Sequence, residues 1–275
     1  MITLITMGAG NLDALTKTLD SFKFLCDEVV YGDLLLFGDD KERLYKEIAP
    51  KYNMVVTQPG FDHIFKNGFS SVLNILAGKA SNDWVLYMNT SEVMDTDNVM
   101  SKSNEILEMV KTVGKDYNTL FFDHATDPHS WFRLYNRREL WWSGRIHEEV
   151  TGMSVRPYKK YPAFRMKDLE KDLHNPFKAW VFNDVKEIVY FEQYRRIVEN
   201  PELLEGTNEY WLWHARENYA SIVERLEAKG QRYEAFKLGD LNKYFSSLPE
   251  GIETPTQGFS TSRMVEFQGD KQTLL

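Results

Sequence analysis

Ile2 to Met7 form a mostly apolar run that stops at Gly8 and Gly10, and the next stretch, NLDALTKTLDSF, changes period. Leu12, Leu15, Leu19 and Phe22 recur three or four apart, so the pattern predicts strand, loop, helix. DEVVYGD reads as a second strand closing on Asp33, and DDKERLYKEIAPKY as a charged helix with Leu44, Tyr45 and Ile48 on one face. NMVVTQ reads as a third strand, broken by Pro59 and Gly60. FDHIFKNGFSSVLNILAGKA is mostly helical, and Trp84 to Met88 form a buried strand that ends on Asn89, Thr90, Ser91 and Glu92. Alternating strands and helices predict an α/β, Rossmann-like, mostly parallel sheet flanked by helices, with ligands beyond the carboxyl ends of its strands.

From about Pro157 the strand pattern gives way to helical stretches, NPFKAWVFNDVKEIVYFEQYRRIVENPELL and NEYWLWHARENYASIVERLEAKGQRYEAFKLGDLNKYF. Trp211, Ala215, Tyr219, Ile222 and Leu226 mark one apolar stripe of the second. The expected division is therefore an α/β unit over 1–155, a helical appendage over 156–250 and a tail rich in Gly, Thr, Ser and Pro over 251–275. The appendage is expected on the acceptor side of a site or in self-association. No periodic repeat is visible, which argues against a solenoid.

Composition narrows the field. At 275 residues, 43% hydrophobic and 27% charged, the chain has enough apolar surface for a substantial core. Its formal charge of -8 argues against broad capture of a phosphate backbone. A local exception is RPYKKYPAFRMKDLEK, where Arg156, Lys159, Lys160, Arg165, Lys167 and Lys171 alternate with Tyr158, Tyr161 and Phe164. Such a patch suits a solvated loop or an anionic partner, a lipid-linked glycan or a nucleic-acid strand. One cysteine, Cys26, excludes an internal disulfide, and its apolar setting suits a small buried hydrophobe. The start, MITLITMGAG, lacks the charged flank and length of a signal peptide, and no apolar run nears the ~20 residues of a membrane span. A cytoplasmic protein is expected, with peripheral association at the inner membrane surface as a variant.

Two constellations carry chemistry. Asn89, Ser91 and Glu92 offer hard oxygen atoms at the end of a sheet strand, suited either to Mg2+ or Mn2+ bridging a diphosphate or to an ordinary turn. WFRLYNRRELWWSGRIHEEV groups Arg133, Arg137, Arg138 and Arg145 with Trp131, Trp141 and Trp142, and ends on His147, Glu148 and Glu149. Guanidinium forks match phosphate oxygens, tryptophans stack on sugars or fill cores, and a carboxylate after the cluster is placed to act as a base. Gly8-Ala9-Gly10 with a later acidic residue imitates a dinucleotide fingerprint, but Asp13 stands where the third glycine must be.

Taken together, ITLITMGAGNLDALTKTLDS, EVVYGD, FDHIFKN, DWVLYMNTSEV and FRLYNRRELWWSGRIHEEV resemble a family 2 glycosyltransferase of the GT-A fold. The branch they resemble includes lipopolysaccharide-core glucosyltransferases and peptide S-glycosyltransferases. The likeness spans residues 1 to about 155, and Arg133 to Arg137 with Gly144 to Glu148 is its most specific part. It implies an enzyme that moves a sugar from a nucleoside-diphosphate sugar, a UDP-sugar, to an acceptor with inversion. The acceptor is left open among glycan, lipid-linked glycan, protein and nucleic acid, and the C-terminal helices are open to homo-oligomer formation.

The resemblance also implies roles. Glu148 would be the base, with His147 beside it. Thr6, Met7, Gly8, Asp33, Asp62 and Lys66, the last where relatives carry arginine, would hold the donor nucleotide. Arg133, Arg137 and Arg145 would hold the diphosphate, and Trp141 and Trp142 the acceptor. Asn89, Ser91 and Glu92 would occupy the metal corner, but both aspartates of the D-x-D pattern are replaced, by Asn89 and Ser91, which weakens the expectation of Mn2+ or Mg2+. Two alternatives stay open: a binding protein that has lost transfer, and a GT-A-like nucleotidyltransferase.

Overall fold

A computed structural model describes the chain except residues 9–10, 35–37, 60, 96–98, 114–115, 125–130, 145–147, 153, 159–164, 170–186, 189, 193, 201, 203–208, 238–242, 244–245 and 248–275. The amino-terminal elements follow the predicted alternation: β1 (Ile2–Gly8), α1 (Leu12–Phe22), β2 (Glu28–Asp33), α2 (Gly38–Arg43), a π-helical turn (Leu44–Ile48) into α3 (Ala49–Lys51), β3 (Met54–Thr57), α4 (Phe61–Lys79) and β4 (Trp84–Tyr87). Asn11 starts α1 by accepting the Ala14 N–H at 2.9 Å, and Leu12, Leu15, Leu19 and Phe22 bury the predicted stripe. Within α4 the backbone breaks from helical values at Gly68 (φ 79°, ψ 178°), a conformation open to glycine and few others.

The strands then depart from simple alternation. After β4 come β5 (Glu92–Met94), α5 (Val99–Val113), β6 (Thr119–His124), β7 (Trp131–Asn136), β8 (Leu140–Ser143), β9 (Glu149–Gly152), β10 (Pro157–Tyr158) and β11 (Arg165–Asp168). The sheet runs β3-β2-β1-β4-β7-β6-β11-β5, with β10 also pairing β6. β1 to β4 are parallel to one another, and β7 is antiparallel to both β4 and β6. β8 and β9 form a separate antiparallel hairpin in which Trp142 pairs with Val150 and Ser143 with Glu149. The fold is thus mixed α/β with a mostly parallel central sheet flanked by helices.

Alternation along the strands divides the core. Ile2 and Leu4 face α1 and α5, packing with Leu15, Phe22, Ile106 and Leu86. Ile5, Val85 and Tyr135 face the other way, toward Val72, Leu73 and Leu76 of α4 and toward Trp142 and Val150 of the hairpin. The same apolar cluster continues into the carboxyl-terminal part of the chain. It takes in Ile188, Tyr194 and Ile197 from helical residues 187–199 (189 and 193 not described), and Ala215, Ile222 and Leu226 from the helix Glu209–Glu227. Ala215, Ile222 and Leu226 belong to the predicted stripe. Phe191 stacks on Tyr219 at 5.7 Å and meets Tyr233 edge-on at 5.6 Å, and Glu192 accepts the Tyr233 hydroxyl at 2.8 Å. No helix among the described residues is long and apolar enough to cross a membrane.

Candidate active site

The carboxyl ends of β1, β2 and β4 meet at Gly8, Asp33 and Tyr87. Gly8 is required there by space, because a Cβ on it would lie 2.8 Å from the Thr90 methyl. Its carbonyl accepts the Leu34 N–H at 3.0 Å and the Tyr31 hydroxyl at 3.2 Å. Asp33, paired with Gly8 across the strands, is 4% exposed and accepts the Gln58 amide at 3.0 Å. Met7 is half-buried against the α4 side of the core. The Thr6 side chain is fully enclosed, with its hydroxyl lacking a hydrogen-bond partner. Asp62 and Lys66 lie on α4, with their side chains outside the described residues.

The corner after β4 closes on itself. The Asn89 N–H donates to Glu92 Oε2 at 2.8 Å, and the Glu92 N–H donates to the Asn89 carbonyl at 3.1 Å. Glu92 Oε1 accepts Arg133 Nη2 at 2.9 Å, with the two side chains only 3% and 8% exposed. Asn89 Oδ1 accepts the Tyr87 hydroxyl at 2.9 Å, the Thr90 carbonyl accepts Thr18 Oγ1 at 3.0 Å, and the Ser91 carbonyl accepts the Leu169 N–H at 2.7 Å. The strand therefore ends on a polar group because Glu92 is the internal counter-ion of Arg133. Both oxygens of the corner's one carboxylate are already hydrogen-bonded, so Asn89, Ser91 and Glu92 as arranged do not fit a divalent cation. No group of three or more His, Cys, Asp or Glu among the described residues is placed to hold a metal.

Arg133 and Arg137 part company because β7 runs antiparallel to β4. Arg133 sits near the carboxyl end of β4, its guanidinium carbon 5.2 Å from the Tyr87 ring centre. Arg137 lies beyond the Trp84–Asn136 pair at the other end, with Nε 2.7 Å from the Asn82 carbonyl. Three strand steps, roughly 10 Å, carry the chain from Arg133 to Asn136 and the turn that holds Arg137 lies beyond, so Arg137 is corrected from diphosphate ligand to a tie at the amino end of the sheet. Arg138 pairs there with Asp83 at 2.7 Å. Arg145 and His147 lie outside the described residues.

Trp142 is likewise a correction. It is 6% exposed, its ring edge-on to Tyr87 at 5.2 Å and to Tyr135 at 5.9 Å, and its indole N–H donates to the Tyr135 hydroxyl at 3.0 Å. Asn74 of α4 clamps its backbone from both sides, at 2.7 and 2.8 Å. Trp142 is thus a core residue that anchors the hairpin, whereas its neighbour Trp141 points outward and is 47% exposed.

The anchored hairpin fixes Glu148, which immediately precedes β9 and is half-buried. Burial pushes the Tyr87 phenol well above its ordinary range, Arg133 pulls it back, and the charges of Glu148 and Glu92 push it up again. Geometrically the link runs through the hairpin: Trp142, whose ring meets Tyr87 edge-on at 5.2 Å, pairs with Val150, two residues along the chain from Glu148. Burial pushes the Tyr190 phenol up as well, with the charge of Glu148 adding to the rise. Sequence reading missed Tyr87. Tyr87 looks like one more member of an apolar strand, although a phenol at a strand's last position has a polar end to place.

Other candidate features lie apart. Cys26 borders a pocket with Phe22, Lys23, Lys51 and Tyr52 at the amino end of the sheet, and burial pushes its thiol up, away from reactivity. Arg156 of the basic stretch is tied to Glu139 at 2.7 Å, and the side chains of Lys159, Lys160, Arg165, Lys167 and Lys171 are outside the described residues.

No family model matches the chain, and no curated protein matches it in sequence. Among solved structures, the chain is similar to a structure of S. aureus TarS 1-349, with a TM-score of 0.45 and 11% identity over 90% of this chain and 89% of that one. A structure of S. aureus TarS gives 0.44 and 11%, over 90% of this chain and 54% of that one.

Proposed function

We propose that this chain is a glycosyltransferase that transfers a sugar from a UDP-sugar to an acceptor hydroxyl with inversion, Glu148 serving as base. The observation that carries the reading is the convergence of Arg133 and the Asn89–Glu92 corner on Tyr87, beyond the carboxyl ends of parallel strands, where Trp142 of the hairpin that leads into Glu148 also packs. In the proposed step the acceptor oxygen attacks the anomeric carbon and forms the new C–O bond. The bond from that carbon to the diphosphate oxygen breaks, UDP leaves with the electron pair, and Glu148 takes the acceptor proton. Asp33 and the Gly8 end of β1 offer the ledge for the nucleoside.

One observation favours a second reading, a sugar-nucleotide-binding protein without transfer. The Arg133 charge is already balanced by Glu92, so this pair brings little net positive charge to a leaving diphosphate. Calorimetric titration with UDP, GDP, CMP and NAD, followed by an assay of UDP-sugar hydrolysis without acceptor, separates the cases. UDP binding with hydrolysis supports the transferase, UDP binding without hydrolysis the binding protein, and binding of NAD alone rejects both.

A further inference from the structure

The chain between β7 and β10 is tied at both ends to one residue. Asn118, just before β6, is fully buried, and each of its donor and acceptor groups reaches this stretch. On the entering side its carbonyl accepts the Asn136 N–H at 2.8 Å. On the leaving side its N–H donates to the Arg156 carbonyl at 3.0 Å, and its Oδ1 accepts the Arg156 N–H at 2.7 Å. Its Nδ2 donates to the Ser154 carbonyl at 2.8 Å and to Glu139 Oε2 at 2.9 Å, the oxygen that also accepts Arg156 Nη2 at 2.7 Å. The hairpin of β8 and β9, with Glu148, lies between these ties.

The ties set the register of the hairpin. Its outermost pair is Leu140 with Gly152, where the chains pass so closely that a Cβ on Gly152 would sit 2.5 Å from the Glu139 carbonyl. From there alternation turns Trp142 and Val150 toward the core, leaves Glu149 exposed and makes Glu148 half-buried again. A slip of β9 by one residue would turn Val150 and Glu148 outward and Glu149 inward. Asn74 holds Trp142 from the α4 side, but it fastens one residue of β8 and leaves open which residue of β9 stands opposite. Asn118 closes that freedom, because it grips the chain before β8 and after β9 at once. A side-chain amide suits the task, since it offers an acceptor and two donors, whereas a carboxylate of the same shape only accepts.

We infer that Asn118 is a positioning residue for Glu148: by joining the two ends of the segment that carries the hairpin, it keeps that carboxylate on the inward face. The inference rests on the transferase reading, in which Glu148 is the base, and deepens it by naming what holds the base in place. Asn118 bonds to Asn136, which pairs with Trp84 at the start of β4, so it lies at the end of the sheet away from the crevice and acts through the hairpin.

The test is a double-variant cycle on the full-length chain. UDP titration probes the donor site, and hydrolysis of UDP-glucose, UDP-galactose and UDP-N-acetylglucosamine reads turnover. Asn118→Ala is expected to lower turnover about 10- to 100-fold, the scale of loss when a reacting group is misplaced by about 1 Å, with UDP affinity within about twofold of wild type. In the Glu148→Gln background the same change should lower turnover by no more than about twofold, because an absent base cannot be misplaced. A residue that only stabilises the fold would leave the turnover of folded protein unchanged or lower it by one factor in both backgrounds. Should Asn118→Ala not fold, Glu139→Ala, at a side chain 39% exposed, enters the same cycle with an expected drop of about three- to tenfold. Unchanged turnover in the folded variant, or an equal drop in both backgrounds, overturns the inference while leaving the transferase reading intact. Wild type that hydrolyses none of the three sugars, or normal turnover in Glu148→Gln, overturns that reading and this inference with it.

Discussion

Arg133 Nη2 lies 2.9 Å from Glu92 Oε1, in a pair whose two side chains are almost wholly shielded from water. Two ions so placed stabilise little as a pair, but each is costly to strand. Glu92→Gln should therefore destabilise the fold by about 3 to 5 kcal/mol, read as a lower urea midpoint with unchanged slope. Replacing the pair together, Glu92→Leu with Arg133→Met, should cost much less than the two single changes summed. Additive losses would show that the two residues are not energetically coupled.

A corner whose carboxylate is already engaged should not need a cation. Chelation with EDTA is expected to leave UDP affinity within about twofold, and added Mn2+ should not raise the melting temperature. A tenfold gain in UDP affinity with Mn2+ would show that the corner rearranges into a metal site.

Gly8 abuts Thr90 at the mouth of the site. Gly8→Ala places a Cβ 2.8 Å from the Thr90 methyl and 3.1 Å from its hydroxyl, and should destabilise by about 1 to 3 kcal/mol. Thr90→Ser removes the methyl and should return much of that loss in the double variant, as measured by thermal unfolding.

The adjacent tryptophans should behave oppositely. Trp142→Ala empties a core position and unpairs the Tyr135 hydroxyl, with an expected loss of about 3 to 5 kcal/mol in urea unfolding. Trp141→Ala, at a site 47% exposed, should stay within about 0.5 kcal/mol of wild type.

The strands and helices up to β4 were legible because their apolar periods are clean and their ends carry Gly, Pro or a capping Asn. The Arg133 to Arg137 grouping misled for a physical reason: proximity in sequence is not proximity at one end of a sheet, and β7 runs away from the crevice. Its direction follows from pairing with β4 and β6, which no local pattern encodes. Trp142 was ambiguous because alternation assigns Trp141 and Trp142 to opposite faces without saying which is inward. Asn74, far away on α4, decides it.

Glu148→Gln examined by UDP titration and UDP-sugar turnover on the same preparation tests the central claim most directly. Turnover should fall about 10²- to 10⁴-fold, as expected for loss of a positioned base, with UDP affinity changed by no more than about threefold. Turnover close to that of the wild type would contradict the assignment of Glu148.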